Sequence, residues 1–128
     1  MPHVANTNRS ARRLALLLAG SGALHFAVPK FYDPMIPTQL PGTPRAWTLG
    51  SGIVELAVGA AVAVPRTRRL AALAAFGLFV GVFPANVKMA NDVAASAAPA
   101  PMKLATKARL PLQLPLLAWA LRVRRNAV

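Results

Sequence analysis

The chain has no cysteine, which removes disulfides, thiol exchange and thiolate metal sites together. Its only imidazoles are His3 and His25, so haem ligation by two histidines of one chain is not expected. No Gly-rich phosphate loop, HExxH or GxSxG sequence occurs anywhere, so there is no motif for phosphate, zinc-peptidase or serine-hydrolase chemistry. Acidic residues are scarce: three Asp and Glu stand against 15 Lys and Arg, for a formal net charge of +12.

What remains is mostly apolar. Hydrophobic residues make up 55% of the 128 positions, and mean hydropathy is +0.46. A soluble domain this small has too little interior to hide so much apolar surface. The apolar residues gather in four stretches bracketed by arginines or prolines, at Leu14–Val28, Ala46–Val64, Leu70–Val87 and Leu110–Leu121. The middle two hold 19 and 18 residues, close to the ~20 that a helix needs to cross a ~30 Å hydrocarbon core. The expected fold is all-α: one domain over residues 1–128, an integral membrane bundle of four transmembrane helices near 13–29, 46–64, 69–88 and 106–122.

The placement of the positive charge fits that reading. Nine arginines form three tight groups: Arg9, Arg12 and Arg13; Arg66, Arg68 and Arg69; Arg122, Arg124 and Arg125. With four spans, all three groups fall on one side, and the positive-inside rule makes that side cytoplasmic, with both termini inside. A nucleic-acid reader would instead interleave basic residues with stacking aromatics on one face, so no nucleic-acid partner is expected. The bilayer is the expected partner, and the arginines attract anionic head groups at ~1 kcal/mol each. A rival reading takes Arg9–Arg13 and the following leucines as a secretory signal peptide cleaved near Ser21 or Ala23, which would leave three spans.

Residues 31–44 hold four prolines and a glycine, which prevent regular helix. Their apolar side chains place the segment in the outer interface, with Tyr32 as an interfacial anchor. Pro65–Arg69 reads as a tight turn that makes the second and third helices antiparallel neighbours. Ala90–Ala108 reads as the mobile stretch, with a short amphipathic helix as the alternative, and Pro111 and Pro115 should bend the short fourth span.

Ionisable and polar groups inside a bilayer cost several kcal/mol and tend to face the bundle interior. His25, Glu55, Asn86, Arg109 and Gln113 all fall in the outer half of their spans, and every helix contributes. Arg109 and Gln113 lie four apart and share a face. Ser51, Gly52 and Gly59 give the Glu55 face a small profile that allows close helix approach, as Ser21 and Gly22 do for His25. Gly77 and Gly81 form another small stripe. These five polar residues form either a ligand-binding cluster or a structural clamp such as a Glu55–Arg109 pair, and Glu55 is expected within direct or water-bridged reach of Arg109 or His25. Lone His25 reads as a packing residue rather than a metal ligand, and Lys88 as an interfacial charge; no metal site and no catalytic residue is expected.

Several of these stretches resemble the DoxX-like family of small four-helix bacterial membrane proteins. Gly22-Ala-Leu-His-Phe26 with Pro29, then Ile36-Pro and Leu40-Pro, is similar to that family's first loop region. Ser51-Gly-Ile-Val-Glu55 with Gly59, Pro65 and Arg68 is similar to its second helix and turn. Phe83-Pro-Ala-Asn86 and Arg109-Leu-Pro-Leu-Gln113 with Trp119 resemble the ends of its third and fourth helices. The resemblance covers residues 14–122. It implies a multi-pass protein of the bacterial cytoplasmic (inner) membrane, associated with quinone-linked respiratory chemistry or oxidant tolerance, often as an accessory subunit. No intrinsic cofactor is expected, and the candidate ligand is a quinone or lipid. Three functions stay open: a non-catalytic module binding a lipophilic molecule at the polar cluster, an accessory or scaffold subunit docking another membrane protein or its own copy, and a quinone-linked oxidoreductase subunit with Glu55 or His25 as proton donor.

Overall fold

A computed structural model describes residues 2–127, with side chains from Ala5 onward; the His3 side chain lies outside them. Among the described residues every element is helical: α1 (Pro2–Ala27), α2 (Pro29–Tyr32), a 3-10 turn (Asp33–Met35), α3 (Pro44–Ala63), α4 (Arg68–Gly81), α5 (Phe83–Ala94) and α6 (Ala100–Asn126). Helix α3 and the α4–α5 rod of Arg68–Ala94 are each long and apolar enough to cross a membrane, and a third span results if α1 and the bent segment after it count as one. Helix α6 has 27 residues, length enough to cross, but Lys103, Lys107 and Arg109 dilute its apolar run. The molecule exposes 8100 Å², where surface scaling gives about 6,500 Å² for a soluble monomer of this mass. The excess is apolar: Leu16, Leu70 and Leu104 are each at least 70% exposed. These properties fit a membrane-spanning protein.

Prolines set the breaks. Pro29, which has no amide hydrogen, opens α2 after a bend of 99°, so the first helix stops at Ala27 instead of reaching residue 29. Pro84 likewise cannot donate to the Val80 carbonyl four residues back, and the rod is interrupted at Val82. The third expected helix thus becomes two, and it continues to Ala94. Pro111 and Pro115 do not end α6; they lie four apart on an exposed face, where their rings clear the neighbouring helices. The stretch expected to be mobile, Ala90–Ala108, is helical except for residues 95–99.

Helices α1 and α3 share the most intimate contact. A Cβ added at Gly22 would come within 2.9 Å of the Gly52 carbonyl, one at Gly52 within 2.8 Å of His25 Cβ, and one at Gly59 within 3.0 Å of the Ala15 carbonyl. Burying leucine gains little when the alternative is lipid, so such close approach of small residues is what can hold two helices together in a bilayer. The bundle runs α1, α3, α4, α6 and back to α1. Its core of Leu14, Leu18, Val62, Ala72, Ala75, Phe79, Ala120 and Val123 fills only the half nearest the arginines.

At that end Arg68 is 5% exposed. Its guanidinium donates to the Val62 carbonyl (2.8 Å), the Ala63 carbonyl (2.9 Å) and Asn8 Oδ1 (2.7 Å). A cation thus satisfies carbonyls left open at the α3 C-terminus, where the helix dipole favours it. Arg124 reaches the Arg69 carbonyl at 3.1 Å and Trp119 Nε1 reaches Ser10 Oγ at 2.9 Å, so all three arginine groups meet at one end. Arg68 is therefore a clasp between α1 and the turn, not a free charge for head groups.

Candidate functional site

At the opposite end the helices part. Past Val82, α5 leans on α6 and on the 3-10 turn instead of α3. A cavity of about 740 Å³ opens between α3 and the α4–α5 rod, floored by α1 and closed laterally by α6. Gly77 and Gly81, a packing stripe by sequence, have nothing within 4 Å of an added Cβ. They line this cavity, and their lack of side chains widens it. Aliphatic residues and methionine, with Phe79, Pro37, Pro84, Ala74 and Ala85, make most of the remaining wall. Leu17, Leu40, Trp47 and Val54, each 39% or more exposed, carry that wall out to the protein surface.

The segment between α1 and α3 forms the roof. Thr43 caps α3, its hydroxyl accepting from the Ala46 amide at 3.2 Å, and Pro44 suits the first helical position. Asp33 accepts from Arg45 Nε at 3.0 Å and from the buried Thr48 hydroxyl at 2.7 Å. The Arg45 hydrogen bond, and then that of Thr48, hold the Asp33 carboxyl below the usual carboxylate range. On the far side Lys88 Nζ donates to the Pro34 carbonyl at 2.6 Å and pairs with Asp92 at 2.7 Å. The roof is thus tied to α3 and α5, and it lowers Met35, Ile36 and Leu40 into the cavity.

All five polar residues singled out in the sequence line this one cavity, in two pairs and a single. His25 Nδ1 lies 2.7 Å from the Ser21 carbonyl; a carbonyl only accepts, so Nδ1 donates in this bond. Glu55 Oε2 lies 3.4 Å from the same Nδ1, a distance of charge proximity; this buried oxygen accepts no hydrogen bond. On the facing wall Asn86 Nδ2 donates to Gln113 Oε1 at 3.4 Å, and Gln113 Nε2 donates to the Phe79 carbonyl.

Arg109 stands apart. It is exposed at the mouth, with Met89 Sδ as hydrogen-bond partner at 3.7 Å, so the partner of Glu55 is His25 and not Arg109. Tyr32, read as an interfacial anchor, stacks on His25 with ring centroids 3.8 Å apart and planes 16° apart, and stands within electrostatic reach of both Glu55 and Arg109. Sequence gave no signal for Tyr32, Asp33 or Thr48, because contacts across 7 to 15 residues of irregular chain follow no helical period. Residues 14–124 match the profile of a domain of unknown function, DUF8561.

The chain belongs to the DUF8561 family.

No curated protein and no solved structure matches it. The part matching DUF8561 contains the whole cavity lining, from Leu17 to Leu116. Within it the arrangement offers hydrogen-bond donors from Asn86 and Arg109 and acceptors from Glu55 and Gln113, facing a mostly apolar wall. No group of three or more His, Cys, Asp or Glu able to hold a metal occurs among the described residues.

Proposed function

We propose that this DUF8561 protein is a four-span module of the bacterial inner membrane, both termini cytoplasmic, which binds a small lipophilic molecule with a polar head. The observation that carries the reading is Glu55 Oε2: a buried carboxylate oxygen without a hydrogen bond, at a cavity with a mostly apolar wall. Unmatched buried acceptors are costly, and a ligand hydroxyl that donates to Glu55 relieves that cost, while the Asn86 amide can donate to an oxygen of the same head. Ligand pockets run from about 300 to 1,000 Å³ with a few convergent polar groups, and 740 Å³ suits a quinone ring or a lipid head with part of its tail. The DoxX-like resemblance supports the same class of ligand. Its tail leaves past Leu17 and Val54, into lipid.

A second reading, an accessory subunit whose Gly77–Gly81 groove takes a helix of another membrane protein, draws on the same open glycines. Native mass spectrometry of gently extracted protein separates the two. Wild type should carry a small lipophilic molecule, and Gly77→Leu, which fills the cavity and favours helix by up to about 1 kcal/mol, should lose it without a fall in melting temperature. Glu55→Gln should weaken retention. A spectrum with a protein partner and no small molecule, or retention unchanged by Gly77→Leu, would overturn the ligand reading.

A further inference from the structure

The arginine-rich end holds a second concavity. It measures about 380 Å³ and lies between α1 and α6, lined by Arg9, Arg13 and Arg122 together with Ser10, Trp119 and Asn126. The Trp119–Ser10 hydrogen bond pins the two helices to each other at this site.

No acidic side chain answers the charge here. The chain contains three acidic residues. Asp33 pairs with Arg45 and Asp92 with Lys88, while Glu55 sits beside His25, all at the cavity end. No side-chain carboxylate is therefore left for the pocket. Arg68, the neighbouring cation, is turned inward on backbone carbonyls. Three guanidinium groups from two helices line one concavity with no acidic side chain among them, and an anion seated there lowers their mutual repulsion.

We propose that this pocket is a phosphate site, bridging α1 and α6. Guanidinium forks match phosphate oxygens in pairs, and Asn126 adds a neutral amide to them. The bilayer supplies the nearest source. Trp119 marks an interface depth, and Leu16 and Leu121 lie exposed close by on the same two helices, so the acyl chains of an anionic lipid continue along apolar surface once the headgroup is seated. Basic pockets between membrane helices are known to take anionic lipid heads in this way. A soluble phosphate compound offers the same chemistry from the aqueous side.

The test is thermal unfolding of the full chain in nanodiscs of phosphatidylcholine, of phosphatidylcholine with phosphatidylglycerol, and of phosphatidylcholine with inorganic phosphate. The double variant Arg13→Gln/Arg122→Gln is compared with Arg66→Gln/Arg125→Gln, which removes the same charge from the same end but leaves the pocket intact. Phosphatidylglycerol should raise the wild-type melting temperature; each arginine near the surface contributes about fivefold wherever it lies, and the pocket variant should need more of the lipid than the control, because it also loses the paired guanidinium–phosphate hydrogen bonds. The control variant should lose only the part that depends on charge. Stabilisation by inorganic phosphate in the zwitterionic disc, lost in the pocket variant, would assign the site to a soluble phosphate instead. No stabilisation by either, or equal loss in the two variants, would overturn the proposal. Melting of each variant in phosphatidylcholine alone checks that the fold survives the substitution.

Discussion

An added methyl at Gly52 would overlap the His25 side chain and approach the Gly22 carbonyl at 3.1 Å, whereas one at Gly77 would meet nothing within 4 Å. Backbone cannot retreat as a flexible side chain can, so Gly52→Ala should destabilise by about 1–3 kcal/mol and displace His25 from Glu55. Gly77→Ala should be neutral or stabilising by up to about 1 kcal/mol through helix propensity. Melting in one detergent decides this, and equal effects would show that α1 and α3 do not cross where the structure puts them. The sequence marked both residues as small, but smallness alone does not say which glycine faces a helix and which faces a void. Arg68 teaches the same lesson: nothing in Arg66-Thr-Arg-Arg69 distinguishes the one guanidinium that turns inward to bond Asn8, 60 residues away.

Residues 28–43 act as one element, a roof held by the Asp33 clasp. The Asp33 carboxyl is held below the ordinary range by Arg45 and then Thr48, so the stabilisation from its charge is fully present above the unfolded-chain pKa of about 3.9 and is lost as pH falls through the lower folded value. The roof should therefore stay closed at neutral and mildly acid pH and loosen only in strong acid. Trp47, whose indole donates to the Pro41 carbonyl at 2.6 Å, reports this in a Trp119→Phe background. Its emission should be flat from neutral pH down to the ordinary Asp range and shift red below it. Asp33→Asn should show the shifted emission at neutral pH and no acid step; a step that survives in that variant would mean another group opens the roof.

Across the whole molecule, polarity is sorted by end: the three arginine groups meet at one pole, the three acids and the cavity lie towards the other. A bilayer reads such an asymmetry as orientation. Reporters fused after Val128 and within Pro65–Arg69 should read cytoplasmic, and one within Ala94–Pro101 external. An external signal from the C-terminal fusion would overturn the proposed four-span arrangement and with it the proposed placement of the cavity in the outer leaflet. It would leave the contacts of α1 with α3 untouched, since those rest on helix approach alone.

Hydropathy and the run lengths of Ala46–Val64 and Leu70–Val87 were enough to expect membrane-length helices, because a helix's own residues decide whether it suits lipid. The five polar residues could be placed at one level by counting 1.5 Å per residue, since depth along a rod is a local property. Which of them touch was not countable. That depends on the rotation of each helix about its axis and on the break at Val82, set by neighbours far along the chain, as distant as Ser10 is from Trp119. So His25 rather than Arg109 meets Glu55, Asn86 meets Gln113, and Tyr32 enters from a segment with no period to read. The cavity itself exists only because α5 departs from α3, a void between elements that no single stretch of sequence contains.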